Sequence, residues 1–218
     1  MKVLLTAGPT REAIDPVRFL SNRSSGRMGF ALAAAAAERY GDDVCLVSGP
    51  VSLATPPGVR RVDVTSAQEM YEAVVANLDG VVLAIHSAAV ADYRPKVVHS
   101  QKYKKGADEW EIVLERTQDI LGSMRDPLGF QGCLVGFAAE TENLVANAQK
   151  KLEKKGCDLV IANDVSRADI GFDRRENEVT LLYRERPTEG LPKTSKEALA
   201  KLLLDRIDDL LTQTVSPS

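Results

Sequence analysis

The chain has 218 residues, of which 44% are hydrophobic and 27% charged, so it is long enough to bury one full core and has an ordinary globular composition. Its formal net charge of -3 argues against a general nucleic-acid-binding protein, which would carry a basic excess. Neither a signal peptide nor an apolar run of about 18 residues is present, and three scattered cysteines are typical of reduced thiols, so we expect a cytoplasmic protein without a membrane span.

Short apolar segments alternate with helical patterns along the chain. The pattern predicts strands at residues 3–7, 44–48, 59–64, 81–84, 134–137 and 159–162, and helices at residues 30–40, 66–77 and 142–155. Ser66 is the predicted N-cap of the second helix, with Glu69 in the capping-box position. Nearly all-apolar strands that alternate with helices predict an α/β fold with a doubly wound, Rossmann-like, mostly parallel sheet, whose ligands bind beyond the carboxyl ends of the strands.

Two segments interrupt this alternation. Residues 97–115 predict an inserted polar flap with a strand at residues 109–114 and the basic run Lys102-Tyr103-Lys104-Lys105. Residues 178–183 and 187–191 predict a C-terminal β-hairpin, which an amphipathic helix follows at residues 195–211. We therefore expect a single domain over residues 1–211 and a disordered tail at residues 212–218.

The serine-glycine segment at residues 24–29, here called the phosphate loop, is the strongest candidate for ligand binding. Gly26 and Gly29 allow the backbone to approach phosphate oxygens, and the helix that follows would supply unpaired N–H groups and a positive dipole end. Taken alone, the segment is equally typical of a tight strand-to-helix turn with a serine cap. It lies unusually far behind the first strand, because residues 11–22 intervene.

The inserted residues and the segment after the fourth strand carry further polar candidates. Arg18 can bind a phosphate or carboxylate through two hydrogen bonds, or form a surface ion pair with Asp15 or Glu12. Asn22 can donate a hydrogen bond to an acyl oxygen as charge develops on it. Asp92 lies just beyond a buried strand, where parallel folds place functional carboxylates, although aspartate also caps turns.

Basic residues appear in the flap and in the third predicted helix, at residues 142–155. Lys102, Lys104 and Lys105 can close over a polyphosphate, although a lysine run is more often a solvated surface. Lys151 and Lys155 project from one helix face, where positive charge near the helix C-terminus is favoured even without a ligand.

Strand ends supply two candidates for contacts with a base. Phe137 can stack on a nucleobase and the Asn163 amide can read the base or ribose, although each can also be a packing or capping residue. His86 and His99 have no partner at metal-ligand or triad spacing, so neither receives a role.

Taken in order, these segments resemble the phosphopantothenoylcysteine synthetase family, from about residue 3 to residue 211. In many bacteria this activity is the C-terminal half of a bifunctional synthetase/decarboxylase, and a stand-alone enzyme and an excised domain both remain open. The matching stretches include Thr6-Ala7-Gly8-Pro9-Thr10, Ser21-Asn22-Arg23-Ser24-Ser25-Gly26, Ala88-Ala89-Val90-Ala91-Asp92 and Val135-Gly136-Phe137-Ala138-Ala139.

The resemblance implies a ligase in which 4'-phosphopantothenate attacks CTP to give an acyl-cytidylate and pyrophosphate, with Mg²⁺ assisting. Cysteine then displaces CMP. It implies nucleotide contacts at Gly8, Ser24, Gly26, Gly29, Asp92, Lys102, Phe137, Lys151, Lys155 and Asn163, and at the base-contacting run Thr117, Gln118, Asp119 and Ile120.

Substrate contacts are implied at Asn22, Ala88 and Asp92, and at Arg18, which would reach the neighbouring subunit of a homodimer. Asn22 and Lys102 would assist catalysis. No metal ligands follow from the resemblance, and CTP and ATP both remain open. The chain departs from the family pattern at Tyr103, at Gln118, and at His86 with its neighbour Ser87.

Two other functions compete with the ligase. An NAD(P) oxidoreductase would carry GxGxxG directly after the first strand, whereas this chain has Gly8-Pro9-Thr10 there. A non-catalytic nucleotide sensor would keep the phosphate loop but would not need Asn22, Asp92 and a lysine flap together.

Overall fold

The computed structural model describes residues 1–104, 106, 109–166 and 176–214. In chain order its elements are β1 (Val3–Ala7), β2 (Arg11–Asp15), β3 (Arg18–Ser21), α1 (Arg27–Tyr40), β4 (Val44–Ser48), β5 (Val59–Asp63), α2 (Ala67–Asn77), β6 (Leu83–His86), β7 (Tyr93–Pro95), β8 (Leu114–Arg116), α3 (Ile120–Ser123), β9 (Cys133–Glu140), α4 (Leu144–Lys155), β10 (Leu159–Asp164), β11 (Glu176–Tyr183), β12 (Glu189–Ser195) and α5 (Lys196–Thr214).

An eight-stranded sheet in the order β12-β11-β10-β9-β6-β1-β4-β5 forms the centre of the molecule. The six strands from β10 to β5 in this order run parallel, and the hairpin β11–β12 adds two antiparallel strands at one edge. The chain proceeds from β1 to β4 and β5 on one side, then returns to β6 on the other. The topological switch point therefore lies between β1 and β6, and the predicted doubly wound sheet with its C-terminal hairpin is confirmed.

Helices cover both faces of the sheet because alternate strand residues point to opposite sides. Val3 and Leu5 pack in the core under α1 and α5, whereas Leu4 packs in the core under α2, α3 and α4. All three side chains are at most 1% exposed. Among the described residues, no helix combines the length and apolar character needed to cross a membrane.

The helix ends differ only slightly from the prediction. Ser66 caps α2 by accepting a hydrogen bond from the Glu69 N–H, as predicted, and the Glu69 carboxylate accepts one from the Thr65 N–H. Helix α1 begins at Arg27, three residues earlier than expected. Helix α5 extends to Thr214, so residues 212–214 are helical, and the rest of the expected tail lies outside the described residues.

The insertion at residues 11–22 and the strands that flank the flap form two small sheets of their own. The residues inserted before the phosphate loop fold into the hairpin β2–β3. In the flap, β7 pairs with β8 through residues 93–95 and 114–116, so the strand predicted at residues 109–114 begins only at its last residue. Arg94 and Glu115 are cross-strand partners in this pairing and form an exposed ion pair. Lys105 of the predicted basic run lies outside the described residues.

Candidate functional site

A cavity of about 750 Å³ opens at the carboxyl edge of the sheet, at the switch point between β1 and β6. Its wall is formed by residues 22–29, 86–90, 92–93 and 116–121, and by parts of β1, β9, α4, β10, β11 and α5. Sites for small molecules commonly have volumes of roughly 300–1,000 Å³, so the cavity can hold a nucleotide-sized ligand. Its position is the one that parallel α/β sheets use for ligands.

The phosphate loop forms one wall of this cavity. Gly26 has a φ of 74°, a left-handed conformation that glycine adopts without a Cβ clash, and α1 begins at the next residue. Within residues 27–30, all of which are described, no acidic side chain opposes an anion at the first turn. The unpaired N–H groups and the positive dipole end of α1 are therefore available to bind phosphate.

Gly29 has a packing role that the sequence did not reveal. A Cβ at Gly29 would lie 2.5 Å from both the Ala7 Cβ and the Ser87 Oγ. The absence of a side chain thus allows α1 to pack closely against β1 and β6. Gly29 also lines the cavity, and its phosphate contact stays a prediction.

Asn22 joins the end of the hairpin β2–β3 to the loop after β6. Its Nδ2 donates to the Ala89 carbonyl at 3.2 Å and to the Val90 carbonyl at 3.1 Å. Both amide hydrogens are therefore already used within the protein, and donation to an acyl oxygen would require the side chain to turn. Asn22 lines the cavity together with Ala88 and Asp92, the other two residues predicted to contact the acid substrate.

Arg18 lies in a separate cluster that fastens the hairpin to the flap. Its guanidinium forms an ion pair with Asp15, donates to the Tyr103 carbonyl at 3.0 Å and lies 4.4 Å from the ring centroid of Trp110. The hydrogen bond from Arg18 holds the pKa of Asp15 well below its usual range. The ion pair with Asp15, one of the alternatives considered for Arg18, is therefore present.

Three predicted site residues lie outside the cavity wall, judged on the part of the chain that the structure describes. Arg18 is held in the cluster around Asp15, Lys102 is exposed in the flap, and Gly8 lies behind the phosphate loop. A Cβ at Gly26 would lie 3.4 Å from the Gly8 Cα, so Gly8 supports the loop from beneath. Their roles toward ligands remain predictions.

The predicted base-contacting run, Thr117 to Ile120, lines the cavity and is held in place by local hydrogen bonds. Thr117 binds the loop after β6 through its N–H, which donates to the Asp92 carbonyl at 3.0 Å, and through its hydroxyl, which donates to the Ala91 carbonyl. The Gln118 amide donates to the Ser123 hydroxyl at 2.9 Å. This anchoring leaves the backbone of the run in a defined position beside the cavity.

Helix α4 contributes the two predicted lysines, and both reach the cavity. The Lys151 ammonium donates to the Phe137 carbonyl at 2.5 Å, and burial lowers its pKa. Lys155 forms an ion pair with Asp119. Burial raises the pKa of Asp119, but the hydrogen bonds from Lys155 and the Gly122 N–H outweigh it, and the pKa is lowered overall.

Positive charge dominates the wall of the cavity. Although the chain as a whole has a net charge of -3, the described lining has only two acidic side chains, Asp92 and Asp119. Against these stand seven basic residues: Arg23, Arg27, Arg116, Lys151, Lys154, Lys155 and Lys196. This excess would attract a polyanionic ligand.

Several of these lining residues were not identified from the sequence. Arg23 separates two predicted site residues, Arg116 immediately precedes the base-contacting run, and His86 ends a central strand. The rule that pointed to Asp92, a polar residue at the carboxyl end of a parallel strand, applies equally to His86. Buried atoms of His86 (Nε2) and of the predicted residue Asn163 (Oδ1) have no hydrogen-bond partner among the described residues.

Comparisons with known proteins agree with this architecture. The chain is 48% identical over 210 residues to the protein "Coenzyme A biosynthesis bifunctional protein CoaBC" of Escherichia coli (strain K12), covering 95% of this chain and 51% of that protein. The protein of the same name from Vibrio cholerae is also 48% identical over 210 residues, with 95% and 52% coverage. The chain thus spans about half the length of these curated relatives.

Solved structures match over almost the whole chain. A crystal structure of the C-terminal domain of Coenzyme A biosynthesis bifunctional protein CoaBC has a TM-score of 0.82 and 42% identity, covering 97% of this chain and 96% of that one. The DNA/pantothenate metabolism flavoprotein from Streptococcus pneumoniae has a TM-score of 0.80 and 26% identity, with 96% and 99% coverage. A family profile described as "DNA/pantothenate metabolism flavoprotein C-terminal domain" matches residues 1–211. The chain therefore belongs to this family, as the order of its sequence motifs predicted.

Proposed function

We propose that this chain is a phosphopantothenate–cysteine ligase acting in coenzyme A biosynthesis. The observation that carries the proposal is the excess of basic side chains around a nucleotide-sized cavity whose wall includes the first turn of α1. A nucleoside triphosphate and a phosphorylated acid would together bring a large negative charge to this cavity. The relatives of which this chain spans about half are named for coenzyme A biosynthesis, and these names support the proposal.

The reaction would proceed in two steps within this cavity. A carboxylate oxygen of 4'-phosphopantothenate attacks the α-phosphorus of CTP, the bond from that phosphorus to the bridging oxygen breaks, and pyrophosphate leaves. The amine of cysteine then attacks the acyl carbon, the bond to CMP breaks and the amine loses a proton. Basic groups placed where charge develops on the leaving pyrophosphate would stabilise the first transition state.

The arrangement of the wall suggests where each substrate binds. The phosphates would lie against residues 24–29, where the first turn of α1 presents its N-terminal N–H groups and the positive end of the helix dipole. The base would lie near Phe137 and residues 117–120, on the side of the lysines of α4. The acid substrate would lie against Asn22, Ala88 and Asp92.

Mg²⁺ fits this site as an ion that arrives with the triphosphate. No group of three or more His, Cys, Asp or Glu side chains capable of holding a metal is found among the described residues. Mg²⁺ is commonly bound by substrate phosphates plus one or two carboxylates. Asp119 is already paired with Lys155, so Asp92 would be the carboxylate that helps to hold the ion. The bound ion would neutralise charge on the leaving pyrophosphate.

We further propose that the chain forms a homodimer through an exposed apolar surface on the hairpin β2–β3, the sheet β7–β8 and the flap, here called the apolar projection. Twelve large hydrophobic side chains are exposed among the described residues, and eight of them lie on the small sheets and the flap: Val17, Phe19, Tyr93, Val97, Val98, Tyr103, Val113 and Leu114. A clustered exposed apolar surface is typical of an interface. Arg18 lies in the same projection, which would bring it towards the cavity of the partner subunit.

A double variant, Val97→Asp with Val113→Asp, should convert the dimer to a monomer in sedimentation velocity. A wild-type chain that is already monomeric would exclude the dimer.

A pyrophosphate-release assay tests the ligase directly. We expect release only when phosphopantothenate and a triphosphate are both present, with CTP preferred to ATP, and we expect CMP release when cysteine is added. Omitting each substrate in turn is the matched control. If folded protein, checked by circular dichroism, releases no pyrophosphate with any triphosphate, the proposed function is wrong.

A further inference from the structure

His86 is a buried polar residue of the cavity wall to which the proposed reaction gives no role. It ends β6 in the middle of the sheet, opposite Thr6 of β1 and Gly136 of β9. The residue is only 8% exposed and lines the cavity, and its Nε2 has no hydrogen-bond partner among the described residues. Buried polar atoms in folded proteins are nearly always hydrogen-bonded, so a bound molecule is the natural partner to look for.

The geometry of the sheet shows to which face the imidazole of His86 points. A Cβ at Gly29 would lie 2.5 Å from the Ser87 Oγ, so Ser87 points towards α1 and the phosphate loop. Successive side chains of a strand point to opposite faces, so His86 points to the face of α3 and α4. Its cross-strand partner Gly136 faces that way too, since a Cβ there would lie 3.0 Å from Leu121 and 3.2 Å from the Cys157 Sγ.

The ring is uncharged at neutral pH. Burial, followed by the nearby Lys151 ammonium, lowers the pKa of His86 to about 4. A neutral imidazole offers one N–H donor and one nitrogen acceptor and adds no positive charge. The phosphate oxygens are matched by the basic residues of the wall and by the N–H groups of α1, whereas His86 faces the side of α3 and α4, where its donor and acceptor can pair with an uncharged polar group.

We propose that His86 is a nucleotide-binding residue whose Nε2 hydrogen-bonds the nucleoside part, the base or ribose, of the bound nucleotide. The inference rests on the proposed function, because it takes a nucleotide as the occupant of the cavity. His86 would contact the uncharged half of that ligand, on the side of residues 117–121 and away from the phosphate loop.

Isothermal titration calorimetry with CMP, CTP and inorganic triphosphate tests this inference. His86→Leu keeps most of the side-chain volume but cannot form a hydrogen bond, and should weaken CMP and CTP binding roughly 3- to 10-fold, with inorganic triphosphate unchanged within about twofold. His86→Gln keeps a donor and an acceptor at a comparable length, and should restore much of the lost affinity. Thermal unfolding of each variant checks that it is folded.

Two results would overturn the inference while leaving the ligase proposal intact. One is CMP binding by His86→Leu at the wild-type affinity, which would indicate that Nε2 faces a water molecule. The other is an equal loss of affinity for CMP and inorganic triphosphate, which would indicate a structural effect. If His86→Leu does not fold, wild-type CMP affinity in His86→Ala would overturn it. Wild-type protein that neither binds CTP nor releases pyrophosphate would instead refute the proposed function, and the inference with it.

Discussion

Replacing Asn22 by alanine tests whether the inserted hairpin controls the acid-binding side of the cavity. The two hydrogen bonds from its amide, at 3.2 and 3.1 Å, join the end of β3 to the loop that carries Asp92. Each such bond contributes a net of about 0.5–1.5 kcal/mol, and since Asn22 is exposed, the loss of both should cost about 1–2 kcal/mol. If the transition state needs this loop in place, kcat/KM for pyrophosphate release falls roughly 5- to 30-fold.

Asn22→Asp should be more damaging than Asn22→Ala. A carboxylate cannot donate to the Ala89 and Val90 carbonyls, and it adds negative charge beside the proposed triphosphate. Single-turnover pyrophosphate release and CMP release upon addition of cysteine separate the two half-reactions. Ser21→Ala is a matched control, because it removes the 2.7 Å bond from the Ser21 hydroxyl to the Thr10 carbonyl in the same hairpin, outside the described cavity lining.

We expect Ser21→Ala to keep near-wild-type rates. Wild-type rates for Asn22→Ala in both half-reactions would refute the coupling between the hairpin and the cavity. An equal loss of rate in Ser21→Ala would show instead that the effect reports the stability of the hairpin.

Three further predictions concern His86, Lys102 and the subunit interface. Because the pKa of His86 is about 4 in the folded chain and near 6.5 when unfolded, the unfolded chain takes up the proton first as the pH falls. In urea denaturation, wild type should therefore lose about 2 kcal/mol of unfolding free energy relative to His86→Gln between pH 7 and pH 5; a constant difference would contradict this. Lys102→Gln should lower turnover but not the melting temperature, because the side chain is exposed, and equal losses would point to a structural lysine. Mixing inactive Arg18→Ala and Asn22→Asp subunits should restore some activity, and no recovery after proven exchange would show that Arg18 does not act on the cavity of the partner subunit.

The sheet and its covering helices could be predicted because their signal is local. Runs of apolar residues mark buried strands, and Ser66 with Glu69 marks a helix start through contacts only a few residues apart. The hairpin β2–β3 could not be predicted in this way, since each of its buried acids also accepts a hydrogen bond from a distant segment. The Glu12 carboxylate accepts from the Ala67 N–H at 2.9 Å, and Asp15 accepts from the Tyr103 N–H at 3.1 Å. In the sequence, such charges resemble an exposed loop.

The site was predictable where a residue lies in the carboxyl-terminal half of a parallel strand or on the helix that follows it. Phe137, Asn163 and the lysines of α4 line one cavity, as the motif pattern implied. Arg18 was harder to place, because its residue type suits both an anion and an ion pair, and its distance from the cavity depends on how the hairpin folds. His86 could not be identified from metal-ligand or triad spacing, because its distinguishing feature is a buried Nε2 that has no hydrogen-bond partner among the described residues.

The displacement of the phosphate loop along the sequence does not displace it in space. A Cβ at Gly26 would lie 3.4 Å from the Gly8 Cα, so the chain leaves the end of β1, forms the hairpin β2–β3 and returns to the point where it left. Helix α1 therefore begins where the first helix of an ordinary dinucleotide fold begins, with its N-terminus at the cavity. The insertion leaves this packing unchanged and adds a second polar segment, the hairpin β2–β3, beside the phosphate site. This is why Asn22 lies next to the cavity while Arg18, at the other end of β3, lies on the outer projection.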